Sequence, residues 1–550
     1  MLNNNQSNHL VGFAFRLSNT NRWMISLLLL SFLFLVQSCG PYYFREHFRD
    51  ANDLLQYTGN VPTKLYLKAH LRDGQVYILT DTWAIDTVQH QVTGQGRLYD
   101  VNRRLVNSGP VSVPIDSVVI FETNKSLDKV ENEPIAGLSI LAGLDAILGV
   151  ICITNPKTCF GSCPTFYINE EDNFHFANAE GFSQAISPSL EYADIDALHY
   201  SSEGVDSFSI IMKNEALETH SVNQVKLLAI PRAEDERIYH SPNDLFYRCD
   251  REVQFGQATA EEGDITGLLA ETDRIERFSL ADETNLSTKE EIHLTFDPST
   301  DADALGLLIS FRQTQMTTYL FYSAMDYMGG SVSDMFAELE RDNNPQELLE
   351  NSIKGELGGI DVHIWNKDAQ RWELQGTLNE SGPIAFGHQI LPLSAKVSGR
   401  ELKVKLVLNK GLWRIDRVAL TGIREVVEPD ILEPSEALNK GTIDPDALKQ
   451  IRNPEEYLVS MPGSTYRFSF VLPEKEKNYE LFLQSQGYYL EWMRESWLRE
   501  KNLLKLNQLL NHPRRYLKAE TKAYKKQEKY MEEAFWNSRI DTKSFSYYEN

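Results

Sequence analysis

Short stretches in which apolar and polar residues alternate recur along most of the chain, and they constrain its fold more than any other feature. Residues 64–71 alternate, and Arg72-Asp73-Gly74-Gln75 follows with Asp-Gly at its centre, which is typical of a tight hairpin turn. Runs of this kind, bounded by turn residues, favour antiparallel sheets and sandwiches over alternating strands and helices. The predicted fold class is mainly β and multi-domain, with an α-helical C-terminal module.

The same pattern divides the chain into consecutive units, and 550 residues leave room for roughly three or four domains. In chain order the units are a small antiparallel sheet or half-barrel at 60–125, an apolar segment at 135–154, a β domain at 155–250, a β-sandwich region at 251–425 with a helical insertion at 316–353, an acidic proline-bearing linker at 426–447, and a strand with basic, aromatic-rich helices at 460–550.

The first 38 residues have the organisation of an export signal. Arg16 and Arg22 precede an apolar run at 23–36, and no acidic residue is present among residues 1–22. The run is shorter than a comfortable membrane-spanning helix, which needs about 20 residues. It ends in Val36-Gln37-Ser38-Cys39, which resembles the bacterial lipobox: an aliphatic residue, then a small residue directly before an obligatory cysteine.

This resemblance implies that residues 1–38 are removed and that Cys39 is acylated, with 39–59 as a tether. The protein would then belong to the bacterial cell envelope, with its lipid in a membrane, the outer membrane being the expected one. Its body would lie in the periplasm or at the cell surface. The formal net charge of −24 excludes nucleic acid as a partner, because so acidic a body repels phosphates.

The apolar segment at 135–154 leaves two interpretations open. It is nearly long enough to span a bilayer, but Asp145 lies at its centre, where a charge is costly. Gly137, Gly143 and Gly149 also weaken a helix. We therefore favour a buried or membrane-proximal segment over a membrane span.

Four cysteines follow Cys39, and an even number in an oxidising compartment indicates disulfides of undetermined connectivity. They are Cys152, Cys159, Cys163 and Cys249. Cys159 and Cys163 could alternatively form a thiol pair for redox exchange or copper(I) binding. A structural bridge is favoured, because three residues separate this pair and no histidine lies within ten residues of it.

No catalytic or metal-binding motif stands out. The sequence has no glycine-rich phosphate loop, no G-x-S-x-G and no H-E-x-x-H. Asp194 and Asp196 share a face only if their segment is a strand, and the acids at 297–303 lack the glycine and distal glutamate of an EF-hand loop. We therefore expect no catalytic residue, no metal and no cofactor.

Several motifs between residues 162 and 228 are similar to those of a group of uncharacterised bacterial envelope proteins. They are Ser162-Cys163-Pro164-Thr165-Phe166-Tyr167, Ala179-Glu180-Gly181-Phe182, Asn214-Glu215-Ala216-Leu217-Glu218-Thr219-His220 and Val225-Lys226-Leu227-Leu228. The resemblance implies a secreted β domain behind a membrane-proximal segment, and it implies no activity.

A second resemblance concerns the end of the sandwich region. The stretch 402–408 followed by Trp413-Arg414-Ile415-Asp416 is similar to the late strands of galactose-binding-like jelly rolls. It implies a carbohydrate-binding surface, for which the candidate stacking residues are Trp365, Trp372 and Trp413. The alternative, tryptophans as sandwich core, is favoured because large aromatic rings dominate such cores.

These features favour a non-catalytic, lipid-anchored binding or scaffolding protein, with the membrane and an envelope protein or glycan as partners. A carbohydrate-binding or glycan-processing accessory protein is the alternative, and a thiol or copper-handling protein is the second alternative. Residues 501–529 carry nine Lys or Arg and two Glu. This basic segment could contact lipid head groups, the acidic body or another protein, and a solvated helix face is favoured.

Overall fold

The structure is a computed structural model. It describes residues 43–48, 67–71, 75–86, 88–100, 105–126, 163–170, 173–185, 190–198, 206–214, 218–250, 252–273, 275–297, 304–328, 353–379, 382–394, 401–461, 463–474, 477–491 and 502–538. Cys39, Cys152, Cys159 and the segment 135–154 lie outside these ranges.

The strands, in chain order, are β1 (Tyr43–Phe48), β2 (Leu67–Leu71), β3 (Val76–Asp86), β4 (Gln91–Tyr99), β5 (Leu105–Pro114), β6 (Val118–Ser126), β7 (Thr165–Glu170), β8 (Asn173–Glu180), β9 (Tyr192–Leu198), β10 (Ser207–Lys213), β11 (Glu218–Pro231), β12 (Arg237–His240), β13 (Phe246–Cys249), β14 (Phe255–Ala260), β15 (Gly263–Asp264), β16 (Arg277–Phe278), β17 (Lys289–Phe296), β18 (Ala304–Gln313), β19 (Ile360–Asn366), β20 (Arg371–Leu378), β21 (Gly387–Leu393), β22 (Leu402–Asn409), β23 (Trp413–Val427), β24 (Asp430–Leu432), β25 (Glu436–Asn439), β26 (Thr442–Ile443), β27 (Leu458–Ser460), β28 (Thr465–Val471) and β29 (Tyr479–Glu491). The helices are α1 (Thr266–Leu269), α2 (Met316–Met328), α3 (Ile353–Leu357), α4 (Pro445–Arg452), α5 (Leu503–Asn511) and α6 (Pro513–Ser538).

An N-terminal antiparallel sheet has the strand order β1-β6-β2-β3-β4-β5. Its buried face includes Leu67, Leu79, Val113 and Phe121, which come from alternate positions of their strands. Strand β1 pairs with β6 along its whole length, so part of the expected tether is a sheet edge. The predicted small β unit therefore begins earlier in the chain than residue 60.

The next β domain is assembled from two separate parts of the chain. One sheet has the order β26-β25-β28-β10-β7-β8, and the other has the order β24-β11-β29-β9 with β27 also paired to β11. The core between them contains Phe166, Ile210, Leu227, Phe468 and Leu483. Each sheet contains strands from both parts of the chain, so neither part has a complete core without the other.

The segment expected to be a linker at 426–447 contributes to this assembly. Strands β24, β25 and β26 pair within the two sheets, and helix α4 follows directly. The Asp444 side chain caps α4 by accepting from the Ala447 N–H at 3.0 Å, and Pro445 occupies the first turn, where it removes no hydrogen bond. The acidic and proline residues therefore mark short strands and a helix start.

The sandwich is inserted between β11 and β24. One of its sheets has the order β13-β12-β21-β18-β23-β16, and the other has the order β15-β14-β17-β22-β19-β20. Strand β17 illustrates the period of two: Ile292, Leu294 and Phe296 are buried in the shared core, while Glu291 and His293 point away from it. The predicted sandwich is thus present, and the structure as a whole is mainly β.

Helices α2, α3, α5 and α6 pack on the sandwich. Leu506, Leu509 and Leu517 belong to the same core as the two sheets. Lys525 Nζ donates to the Ala281 carbonyl at 2.7 Å, and the Ala281 N–H donates to Glu528 at 2.6 Å. The C-terminal helices therefore complete the sandwich core. Within the described ranges, no helix has the length and apolar content needed to cross a bilayer.

The β domain and the inserted sandwich also contact each other. Leu228, Ile230 and Phe482 of the β domain form one cluster with Ile238 and Phe246 of the inserted sandwich. This second contact explains why β11 is buried at most of its positions, on both of its faces. Arg237 reinforces it with two hydrogen bonds to Glu480, each 3.0 Å long.

Candidate functional site

Two of the three candidate tryptophans lie side by side on the outside of the sandwich. Trp365 on β19 is directly opposite Trp372 on β20, and their ring centroids are 5.4 Å apart in an edge-to-face arrangement. The neighbouring Ile364 points into the core, so Trp365 occupies the opposite, outward face of the sheet. Both tryptophans are half-buried.

The hairpin between these strands fixes the tryptophan pair. The Asn366 side chain accepts from the backbone N–H groups of Asp368 and Ala369, each at 2.9 Å, in the manner of an Asx turn. Gln370 follows with a φ of 53°, in the left-handed region. Because the register of a hairpin is set by its turn, this loop places the two indoles directly opposite each other.

Polar residues of the neighbouring strands surround Trp372. Lys405 Nζ lies 5.3 Å from the centroid of its ring, and the His293 ring centroid lies 5.8 Å away. Glu291 joins these two residues, at 2.8 Å from Lys405 and 3.2 Å from His293. The hydrogen bond from Lys405 holds the pKa of Glu291 below its ordinary value. We call Trp365, Trp372, His293, Lys405 and Glu291 the tryptophan patch.

Trp413 does not belong to the tryptophan patch. It is only 2% exposed and packs edge-to-face against Phe311 at 5.7 Å, inside the sandwich core. A buried ring cannot stack on a ligand, so the structure removes Trp413 from the candidate stacking residues. The core interpretation is right for this tryptophan, whereas the other two remain accessible.

The motifs between 162 and 228 converge on a buried polar group around Cys163. The Cys163 N–H donates to Glu218 Oε1 at 2.6 Å, and its thiol donates to Glu180 at 3.3 Å. The same Glu218 oxygen lies 2.8 Å from His220 Nε2. Cys163, Glu218 and His220 are 0% exposed, and Glu180 is 2% exposed. Residues that are far apart in sequence thus share one hydrogen-bonded network.

Three carboxylates gather on one side of this network. Asp194 and Asp196 share one face of β9, as the sequence predicts for a strand, and Asp196 accepts from the Glu180 N–H at 3.1 Å. Burial raises the pKa of Asp194 to about 7, and burial together with the charge of Asp194 raises that of Asp196. We call Glu180, Asp194 and Asp196 the carboxylate cluster.

The carboxylate cluster accepts hydrogen bonds from the backbone of the sandwich. Glu180 accepts from the backbone N–H groups of Ile384 and Ala385, at 3.0 and 3.1 Å. Asn178 on the same strand exchanges two hydrogen bonds with the Phe386 backbone, at 3.1 and 2.9 Å. We call residues 382–386 the junction loop, because they belong to the sandwich and bind the β domain.

The backbone beside the carboxylate cluster is strained. Cys163, Asn178 and Phe182 have φ values of 112°, 56° and 38°, which side-chain-bearing residues rarely adopt. Such conformations persist only where surrounding contacts hold them. The hydrogen bonds of Glu180, Glu218 and Asn178 supply these contacts.

The described cysteines do not form the proposed disulfide. Cys163 and Cys249 are both buried thiols in separate apolar clusters, and the Cys249 thiol lies 3.5 Å from the Tyr247 carbonyl. Burial raises the pKa of Cys249 to about 12, which makes its reactive thiolate scarce. A bridge from Cys163 to Cys249 is therefore excluded in this structure, while pairings of Cys152 and Cys159 fall outside the described residues.

A serine and a histidine also meet, inside the sandwich. Ser310 Oγ lies 2.7 Å from His388 Nδ1, and both side chains are buried. Burial lowers the pKa of His388 to about 3, so its imidazole is neutral. Because both side chains are buried and bonded to each other, we assign the pair a structural role. Across the described ranges, no group of His, Cys, Asp and Glu is arranged to hold a metal ion.

Sequence reasoning missed the polar members of both sites. Strand alternation signalled that His293 and Lys405 face outward, but nothing local indicated that they meet Trp372. The junction role of Glu180 is equally invisible in the sequence, because its partners follow more than 200 residues later. A scan against models of protein families finds no match, and a search of curated proteins finds none either.

Proposed function

We propose that this chain is a lipid-anchored, non-catalytic binding protein of the bacterial cell envelope, and that the tryptophan patch is its ligand contact. The observation that carries the ligand contact is the pairing of Trp365 with Trp372 on an outward sheet face. The lipid anchor is supported by the sequence alone, through the motif that ends at Cys39.

The chemistry of the tryptophan patch favours binding over catalysis. Its polar groups are already engaged with one another: Glu291 pairs with Lys405 and His293. Groups held in this way orient a ligand and donate hydrogen bonds to it. The indole rings supply apolar faces at little cost in side-chain entropy.

A carbohydrate is the ligand class that we propose, as a second and narrower step. The apolar face of a sugar ring packs on an indole, and its hydroxyl groups need polar partners close by. The tryptophan patch has both, because His293 and Lys405 lie within 6 Å of the Trp372 ring centroid. Two rings in an edge-to-face arrangement present differently oriented surfaces, which suits a bent or branched glycan.

The ligand proposal is tested by binding to a glycan array and to isolated cell-envelope polysaccharide. We expect Trp372→Ala to weaken binding by at least about tenfold, since aromatic contacts of this kind contribute more than 1 kcal/mol. Leu374→Ala is the matched control, because Leu374 is 56% exposed on the same strand and lies outside the tryptophan patch. Equal binding by wild type, Trp365→Ala and Trp372→Ala would exclude the patch as the ligand contact.

The anchor is tested separately with Cys39→Ser. We expect this variant to lose fatty-acid labelling and to leave the membrane fraction. Ser18→Thr lies outside the motif that ends at Cys39, retains the cysteine and serves as a control for general effects on export. Unchanged labelling and fractionation of the Cys39→Ser protein would contradict the anchor and the compartment that depends on it.

A further inference from the structure

Between Arg515 and Lys529, one face of helix α6 carries only basic residues. They recur every three or four positions, which places them along one side of an α-helix. These residues, which we call the basic face, are Arg515, Lys518, Lys522, Lys526 and Lys529, and all of them are exposed. Like charges at this spacing weaken a helix, so the arrangement does not serve the stability of α6.

Two acidic residues within this stretch of the helix point the other way, and Glu532 and Glu533 follow the stretch in the sequence. Glu520 and Glu528 are 4% and 3% exposed, and they bind Lys505 and Lys525 on the side that packs against the sandwich. Among the residues that the structure describes, the first four members of the basic face have no ion-pair partner. An unneutralised basic strip thus lies on a chain whose net charge is −24.

Helix α5, which directly precedes α6, exposes leucines. Leu504 is 81% exposed, Leu503 is 51% exposed and Leu510 is 43% exposed. Leu506 and Leu509 of the same helix are buried in the sandwich core, so the helix is already fixed by a separate set of apolar residues. The exposed leucines are therefore not needed to attach α5 to the fold.

We infer that α5 and α6 form a membrane-docking surface that binds anionic phospholipid. The basic face attracts lipid phosphates, and the leucines of α5 enter the boundary between head groups and acyl chains. This combination of basic residues and exposed large apolar residues is characteristic of helices that lie on a bilayer. The docking is a second contact, beyond the proposed lipid on Cys39, and it would hold the sandwich close to the bilayer.

Two other occupants of the basic face fit less well. The acidic body of the same chain leaves these cations exposed in the structure. An anionic polymer would use the charges but would gain nothing from Leu503 and Leu504. A lipid surface uses both features, and this is why we commit to it.

The test uses full-length protein carrying Cys39→Ser, so its result does not depend on acylation. Binding is measured by sedimentation with vesicles of phosphatidylglycerol and phosphatidylethanolamine, and with vesicles of phosphatidylcholine alone. We expect preferential binding to the anionic vesicles that decreases as salt is raised, because salt screens the charges. The variant R515Q/K518Q/K522Q/K526Q should bind the anionic vesicles several hundred-fold more weakly, about 600-fold, since each of the basic residues near such a surface contributes about fivefold.

The control removes the same number of exposed basic residues elsewhere, as K367Q/K440Q/K449Q/K477Q, and should bind like the parent chain. Leu504→Ser should lower vesicle binding about tenfold, whereas Leu268→Ser should not. The melting temperature of each variant reports whether it folds. An equal loss of vesicle binding in the two quadruple variants would overturn the inference by showing a general effect of net charge. Binding of polyphosphate that equals vesicle binding and is unaffected by Leu504→Ser would overturn it in favour of a polymer.

Discussion

The junction loop is held from two sides by buried charged groups of opposite sign. On one side, the carboxylate cluster binds the Ile384 and Ala385 N–H groups through Glu180. On the other side, Arg312 donates to the Pro383 carbonyl at 2.8 Å, and its guanidinium lies 5.0 Å from the Phe386 ring centroid. The junction loop thus lies between acidic residues of the β domain and a basic residue of the sandwich.

The two sides differ in how their charge is compensated. Arg312 and Arg414 both bind Glu276, and all three side chains are at most 1% exposed. We call these residues the arginine network. The carboxylate cluster contains three acids, and within the described ranges no lysine or arginine pairs with Asp194 or Asp196. Burial, followed by the repulsion between the acids, raises the pKa of Asp194 and of Asp196, so these two side chains take up protons. We therefore expect the arginine network to be sensitive to mutation and the carboxylate cluster to be sensitive to pH.

The largest effect should come from Glu276→Gln in the arginine network. The substitution leaves two buried guanidinium groups without their carboxylate, which costs about 3–5 kcal/mol of unfolding free energy. Denaturant unfolding of the sandwich, followed by tryptophan fluorescence, measures it. Exposed Glu425→Gln is the control, because its ion pair with Arg248 is at the surface. A cost for Glu276→Gln no larger than that of the control would show that the arginine network is not a stabilising centre.

A smaller effect is expected from Glu180→Gln in the carboxylate cluster. The amide retains one acceptor oxygen but loses the charge that binds two backbone N–H groups, so we expect a cost of about 1.5–3 kcal/mol. Hydrogen exchange at Ile384 and Ala385 should accelerate. Gly382→Ala should have a similar local effect, because its Cβ would collide with the Glu180 carboxylate. Unchanged hydrogen exchange in both variants would show that the carboxylate cluster does not stabilise the junction loop.

The pH dependence follows from the sign of the pKa shifts. Folded Asp194 binds its proton up to about pH 7, whereas the unfolded chain releases it near pH 3.8. Between these values the native state holds more protons, so the unfolding free energy falls as pH rises. The slope should be about 1 kcal/mol per pH unit, because solvent reaches these half-buried groups. Asp194→Asn should flatten this slope, and exposed Asp368→Asn should not. Parallel curves for wild type and Asp194→Asn between pH 4 and pH 7 would refute the proton uptake.

The smallest effect should come from a pair far from the junction loop. Arg514 on α6 binds Glu356 on α3 through two hydrogen bonds, 2.7 and 2.8 Å long, but the arginine is 84% exposed. Arg514→Gln should therefore cost about 0.5 kcal/mol or less, and 1 M salt should remove the difference. A cost close to that of Glu276→Gln would mean that burial does not decide how much a charged pair contributes to the unfolding free energy of this protein.

Much of the local structure could be read from the sequence. Alternation located strands such as β17, β18, β19 and β22, and the strand at 192–198 aligns Asp194 with Asp196 as expected. The helical C-terminus was equally predictable from its composition. These features depend on neighbours a few residues away, where the period of two or of 3.6 decides which face is buried.

Domain boundaries and site membership could not be read in this way. The acids and prolines at 426–447 are typical of a linker, yet β24 and β25 complete sheets begun more than 200 residues earlier. Trp365, Trp372 and Trp413 look equivalent in the sequence, and burial alone separates the last from the others. Nothing in the sequence indicates that Cys163 and Cys249 belong to different cores, as the fold shows.

The sequence by itself determined the β character of the chain and the helical, basic composition of residues 501–529, and it is the sole basis for the proposed export signal and acylation of Cys39. Each of these is a local pattern. Only the tertiary structure decided that the sandwich is an insertion, that Trp365 and Trp372 share an open surface, and that Glu180 meets the junction loop. The insertion and the Glu180 contact join residues about 200 positions apart, and no local interaction energy encodes them. The tryptophan pair is local to one hairpin, but its surroundings depend on strands β17 and β22, which bring His293 and Lys405 beside Trp372.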